Sequence, residues 1–78
     1  MQRFYFDVHN SDGIETDTEG QLFSSRERAR IEAFRILHDI AHDEMPDVEL
    51  VTITVKVRSE GSHPIFEASL ILTSGWSG

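Results

Sequence analysis

Residues 24–45, SSRERARIEAFRILHDIAHDEM, decide the fold, because their pattern predicts one amphipathic helix with strand-like segments on either side. Apolar side chains fall on one stripe of that helix and charged side chains fall on the opposite side. Ser24 and Glu27 have the capping-box spacing that begins a helix, and Pro46 is a residue type that ends one. The stripe consists of Ala29, Ala33, Ile36, Leu37, Ile40 and Ala41, with Phe34 at its margin.

The segments around the helix alternate in hydrophobicity with the two-residue period of a strand. Residues 3–9, 51–57 and 66–72 each direct apolar side chains to one face and mostly polar side chains to the other. Turn-forming residues at 10–13 and 59–63 predict two hairpins. The order β-β-α-β-β indicates an α+β fold, a two-layer sandwich with one helix packed on one face of an antiparallel sheet. The strand order stays open, since the first strand can pair with either late strand.

Two further expectations follow from this architecture. Leu22 and Phe23 precede the helix and are expected to anchor beneath it. The outward face of the sheet carries Tyr5, Ile65 and Ile71 among polar side chains, and no second helix remains to cover it. An antiparallel sheet can leave such a face in water or bury it against a second copy, so a homodimer is one expected state.

Chain length predicts a single domain. We assign residues 1–73 to one α+β domain and residues 74–78, which include Trp76, to a flexible C-terminal tail. A chain of 78 residues buries only about 60% of its unfolded surface. A partner or a second copy is a common source of additional stability for domains of this size.

Net charge and composition exclude several classes of function. The formal charge of −7 at pH 7 repels phosphate backbones and anionic membranes, so we expect neither nucleic-acid binding nor membrane docking. The sequence contains no cysteine, which rules out disulfides, thiolate metal sites and thiol nucleophiles. With no long apolar run either, the chain is expected to be a soluble cytoplasmic protein.

Two short motifs are candidate metal ligands. His38 and His42 are four residues apart on one helical face, which is the spacing of two zinc ligands. They lie on the polar side of the helix and no third ligand is evident, so solvated histidines are the simpler interpretation. The start of a calcium loop is suggested by the acids Glu15, Asp17 and Glu19. The position that should carry the closing bidentate acid is occupied by Arg26. The sequence therefore predicts no metal and no cofactor.

Catalytic patterns are equally weak. Asp7 and His9 share the outward face of the first strand, but no nucleophile can be placed beside them. Lys56 and Arg58 are outward-facing cations that we expect to pair with Glu67 across the second hairpin. There is no glycine-rich phosphate loop. We predict no catalytic residue.

Taken together, several short pieces resemble a family of small bacterial proteins catalogued as a domain of unknown function. The pieces are Arg3-Phe4-Tyr5-Phe6-Asp7, Asp12-Gly13, Asp17-x-Glu19-Gly20-x-x-Phe23, Ala29-x-x-x-Ala33, Ala41-x-Asp43-Glu44-x-Pro46 and Val55-x-Val57-Arg58. The resemblance implies a bacterial, stand-alone, cytoplasmic domain and carries over no functional residue. A looser similarity is to HicB-type antitoxins, which begin with the same strand, Asp-Gly turn and capped helix and neutralise a small toxin.

These observations favour a non-enzymatic acidic protein-interaction module that binds a protein partner or a second copy of itself. Its expected contact surface is the outward sheet face or the acidic turns. The candidate partner-binding residues are Tyr5, Asp7, Glu15, Asp17 and Glu19. The alternative is a small metal-binding protein or metal-dependent enzyme that uses His38 and His42.

Overall fold

A computed structural model describes residues 1–10, 13–44, 50–60 and 63–77 of the chain. It contains five strands and one helix in the order β1 (Gln2–Asn10), β2 (Gly13–Glu15), β3 (Gln21–Phe23), α1 (Arg26–Glu44), β4 (Leu50–Arg58) and β5 (Pro64–Thr73). All strand pairs are antiparallel. The predicted α+β fold with one helix against one sheet is confirmed. The structure adds the three-residue strand β3, which is too short to show a periodic pattern.

The strand order, which the sequence left open, is β2-β1-β4-β5. β1 pairs with β4 and not with β5, with Phe6 opposite Val57 and Val8 opposite Val55. β4 also pairs along its other edge with β5. β4 is therefore central, and β5 forms one edge of the sheet.

The opposite edge is built by two short strands that share one side of β1. β2 pairs with residues 8–10 and β3 pairs with residues 2–4. Between them, the five residues 16–20 stand opposite the three residues 5–7 of β1. The chain bulges there because it has two residues more than a continuous strand would need.

The core lies between α1 and the two middle strands. Phe4 and Phe6 of β1 and Ile53, Val55 and Val57 of β4 are buried against the helix. On the helix side the buried residues are Ala29, Ala33, Leu37 and Ala41. Three of these four are alanines, and side chains this small let the helix lie close to the sheet. The predicted helix stripe is thus confirmed, with its isoleucines only partly buried.

The helix begins one residue later than its sequence predicts. Arg26 is the first helical residue, and the backbone N–H of Arg28 donates to Ser25 Oγ at 3.3 Å. Ser25 is therefore the N-cap, so the expected capping box of Ser24 and Glu27 is wrong. The predicted stop at Pro46 lies outside the described residues.

Two apolar side chains are less buried than the sequence pattern indicates. Phe23 packs against Phe4 and Phe6, with ring centroids 6.2 and 5.9 Å apart, but Leu22 is half exposed. Leu22 stands opposite Arg3, whose side chain lies on the outward face, so it cannot reach under the helix. Leu70 of β5 lies on the helix side yet remains 36% exposed, because α1 packs mainly over β4.

Among the described residues, no helix has the length and apolar composition needed to cross a membrane.

Candidate functional site

The bulge at residues 16–20 is held by one carboxylate. Because the bulge takes the place of a paired strand, the backbone N–H of Phe6 has no strand partner at that edge and donates instead to Asp17 Oδ2 at 3.1 Å. Asp17 Oδ1 accepts from the N–H groups of Glu19, at 3.1 Å, and Gly20, at 3.0 Å. One side chain thereby satisfies the strand edge and closes the turn.

Asp7 and Arg58 bind the same turn from the outward face. Arg58 Nε donates to Asp7 Oδ2 at 2.7 Å and Nη2 donates to Oδ1 at 3.1 Å, a bidentate pair. Arg58 Nη2 also donates to the Asp17 carbonyl at 2.9 Å, and the Asp17 N–H donates to Asp7 Oδ1 at 3.0 Å. We call Asp7, Asp17 and Arg58 the turn clasp. The expected pairing of Arg58 with Glu67 is wrong, because Arg58 lies diagonal to Asp7 across β1 and β4.

The electrostatics of the clasp favour ionised carboxylates. The hydrogen bonds from Arg58 lower the pKa of Asp7 and outweigh the opposing effect of burial. Burial alone would raise the pKa of Asp17, but the N–H groups of Gly20, Phe6 and Glu19 together lower it. Both groups are therefore charged at neutral pH, and the side chains of Asp7 and Arg58 are only 13% and 21% exposed.

Glycine is required where the bulge rejoins the sheet. Gly20 has φ +71°, and a Cβ there would lie 2.8 Å from the Phe4 carbonyl oxygen and 2.9 Å from Arg3 Cγ. Arg3 Nη1 meanwhile donates to the Glu19 carbonyl at 2.8 Å. The Arg58 guanidinium lies 4.9 Å from the centre of the Tyr5 ring. The aromatic-rich opening and the Asp-x-Glu-Gly turn thus meet in one cluster.

This arrangement separates the five partner-binding candidates into two groups. The carboxylates of Asp7 and Asp17 hydrogen-bond within the chain, and Tyr5 is partly covered by Arg58. Glu15 and Glu19 are exposed. Together with Asp17 they line an open cavity of about 390 Å³ beside α1. The oxygens of Asp17 accept from backbone N–H groups, so the calcium-loop resemblance has a structural explanation instead.

The second feature is an apolar groove between the C-terminal half of α1 and β5. Its volume is about 520 Å³ and its walls are mainly hydrocarbon. The apolar lining comprises Phe34, Leu37, Ala41, Leu70, Ile71 and Leu72. Phe34 meets Phe66 edge-to-face, with ring centroids 6.0 Å apart, and remains 45% exposed. Sequence reasoning missed this groove, because it exists only where the helix leaves the edge strand uncovered.

His38 and His42 both line this groove. Both are exposed, as expected from the polar side of the helix, but the sequence did not predict that they border a groove. Within the part of the chain that the structure describes, no group of three or more histidine, cysteine or acidic side chains is placed to hold a metal ion. The two histidines therefore border a cavity, but no further metal ligand accompanies them among the described residues.

The fold and these two features define a small two-layer α+β domain with a self-contained polar clasp and an open apolar edge. The chain belongs to the family described as a domain of unknown function, DUF6894, which matches residues 3–71. Comparison with curated proteins and with solved structures gave no match.

Proposed function

We propose that this chain is a non-enzymatic acidic protein-interaction module that binds an extended peptide strand along the free edge of β5. The observation that carries the proposal is the apolar groove of about 520 Å³ beside that edge. A strand added to β5 would gain main-chain hydrogen bonds from the sheet edge and would place alternate side chains in the groove. This is the mode of recognition that joins an exposed edge to an adjacent apolar pocket.

The edge itself supports strand addition. β5 is ten residues long and pairs with β4 along one side. No other described strand pairs with it, so its second row of N–H and C=O groups lies along the free edge of the sheet. Exposed edge strands are usually protected by lysines, by being short or by a covering element. β5 contains no lysine, and its proline, Pro64, lies at its first position.

The groove also defines the chemistry of the bound strand. Its hydrocarbon lining requires an apolar residue at every second position of the ligand. β5 contributes one charge, Glu67, which stands opposite Lys56 of β4. The preferred ligand is therefore an alternating apolar strand with few charges, and the charge of −7 on the whole chain disfavours acidic ones.

An enzymatic role receives less support from the described residues. The strongest polar constellation, the turn clasp, holds the fold together and has its oxygens occupied by backbone and guanidinium donors. The metal-dependent alternative through His38 and His42 lacks a third ligand in the described chain. A cytoplasmic location without nucleic-acid or membrane binding is part of the same proposal.

Selection from a random-peptide display library tests the function. The bait is the full chain, immobilised sparsely enough to keep copies apart, together with the variants Ile71→Lys and Ile14→Lys. These isoleucines are matched, because each is 67% exposed in an edge strand, one at each edge of the sheet, and only Ile71 borders the groove. We expect the wild type and Ile14→Lys to enrich alternating apolar peptides that Ile71→Lys does not bind. Enrichment of no alternating peptide, or equal binding to Ile71→Lys, would overturn the proposal.

A further inference from the structure

We propose that the strand which completes the β5 edge is β5 of a second copy, so that two sheets join across a two-fold axis. This inference rests on the proposed strand-addition function and names the ligand for it. An antiparallel edge is self-complementary under such an axis, because each residue that contacts a partner position is contacted in return.

The distribution of charge selects this edge for contact between copies. Each copy carries a net charge of −7, so two copies repel over most of their surfaces. The acidic residues Glu15, Asp17 and Glu19 lie at or beside the β2 edge, on the far side of the sheet from β5. Between Pro64 and Ser77 the only charged residue is Glu67. Two copies that meet through β5 therefore keep their acidic edges as far apart as the sheet allows.

The groove fixes the position of the axis. β5 lines the groove with residues 69–72, so an axis at Leu70 brings the two grooves together. Ala68 then stands opposite Leu72 of the second copy, and Glu67 stands opposite Thr73 of the second copy. An axis at Glu67 would instead place two carboxylates opposite each other, which destabilises a strand pair.

More than half of the exposed large apolar side chains lie in or beside this edge. Nine large apolar side chains are exposed among the described residues, and Phe34, Ile65, Leu70, Ile71 and Trp76 belong to the groove, to β5 or to the segment that follows it. A stable interface buries about 800 Å² on each partner. The whole surface of one copy is 5695 Å², so about one-seventh of it must be covered.

The same register gives a role to the segment after β5. If the pairing continues past Thr73, Trp76 reaches the Pro64 end of β5 of the second copy, where the strand pairing is irregular. The alternation from Leu70 and Leu72 would put its ring on the helix side. Trp76 is fully exposed in the single chain. It is the only tryptophan of the protein, so tryptophan emission comes from this one position. Transfer of the indole from water to the apolar surface near Phe66 of the second copy would shift its emission to shorter wavelength.

Sedimentation equilibrium, with tryptophan emission followed on dilution, tests the proposal. We expect the wild type and Ile14→Lys to be dimers whose emission moves to longer wavelength as dilution separates the copies. Ile71→Lys is expected to be a folded monomer whose tryptophan emission stays at the long wavelength of an indole in water at every concentration. A wild type that stays monomeric, or a dimer that Ile14→Lys weakens as much as Ile71→Lys, would overturn the inference.

A cross-linking variant tests the position of the axis without changing charge. The chain has no cysteine, so Leu70→Cys introduces a single thiol. In the proposed dimer it faces the same thiol of the second copy at a spacing suited to a disulfide. Under mild oxidation it should form a covalent dimer, whereas Ile31→Cys, on the exposed side of α1, should not. Equal cross-linking of the two variants would contradict the register.

These results also separate the inference from the proposed function. A monomeric wild type that still selects alternating apolar peptides would refute the second copy as ligand and leave the strand-binding function in place. A monomer that selects no such peptide would refute both.

Discussion

The two edges of the sheet differ in how their polar groups are satisfied. At the edge formed by β2 and β3, the bulge opens the strand pairing, and Asp17 replaces the missing partner with a carboxylate. At the β5 edge, a ten-residue strand has no described element across from it, and its residues 69–72 line an apolar groove. The first edge is closed by the chain itself, whereas the second is open to another strand. From this comparison we expect stability to depend on the clasped edge, and the proposed association would use the open one.

The largest expected effect is the loss of the carboxylate that closes the first edge. Asp17→Ala removes the acceptor for the N–H groups of Phe6, Glu19 and Gly20. We expect it to lower the free energy of unfolding by about 2–4 kcal/mol, because partly buried donors lose their partner. Urea unfolding followed by circular dichroism measures this. The neighbouring change Glu19→Ala removes an exposed acid and should cost less than about 0.5 kcal/mol. Similar losses for both variants would show that charge and not hydrogen bonding holds the bulge.

The next effect comes from the glycine that ends the bulge. Gly20→Ala forces a side chain into φ +71° and against the Phe4 carbonyl oxygen, and we expect a loss of about 2–3 kcal/mol in unfolding free energy. Gly75→Ala is the control, since Gly75 has no positive φ and no atom within 4 Å of the point that a Cβ would occupy. Its loss should be smaller in the same urea experiment. Equal losses would mean that neither the left-handed conformation nor the close approach of β1 to the bulge contributes to the effect.

A smaller effect is expected from acid. The pKa values of Asp7 and Asp17 are lowered in the folded chain, so the folded state binds fewer protons than the unfolded state as the pH falls. Their stabilising contribution is complete above the ordinary carboxyl pKa of about 3.9 and is lost as the pH falls through the folded values. The melting temperature of the wild type should therefore fall from about pH 5 downward. Asp7→Asn should flatten that decline, and an unchanged pH profile in this variant would contradict the role of the clasp.

The sequence predicted those parts of the molecule that depend on local periodicity. The apolar stripe of α1 and the inward residues of β1 and β4 follow from side-chain spacing, and the core contains them. The observed N-cap is Ser25 and not the expected Ser24. Two adjacent serines are equivalent N-cap candidates in the sequence, and only the packed helix distinguishes them.

The turn clasp could not be predicted in the same way. Asp7 and Arg58 are 51 residues apart, and their pairing requires β1 to lie beside β4, which the sequence left open. Asp17 has the residue type of a metal ligand, and only the location of three N–H groups around it identifies it as a turn acceptor. His38 and His42 were placed correctly on the exposed side of the helix, but their position along the groove depends on where β5 lies across the sheet.

The smallest expected effect concerns the open edge and gives the most direct test of the comparison. Ile71→Thr should change the unfolding free energy of an isolated copy by less than about 0.5 kcal/mol, because an exposed side chain contributes little to folding. In the wild type, mass action should raise the melting temperature with protein concentration, since dimers form only from folded chains. Ile71→Thr should weaken that concentration dependence, and Ile14→Thr, equally exposed at the other edge, should preserve it. If Ile71→Thr lowered stability equally at every concentration, the β5 edge would be serving the fold of the single chain, and the distinction between a closed and an open edge would not hold.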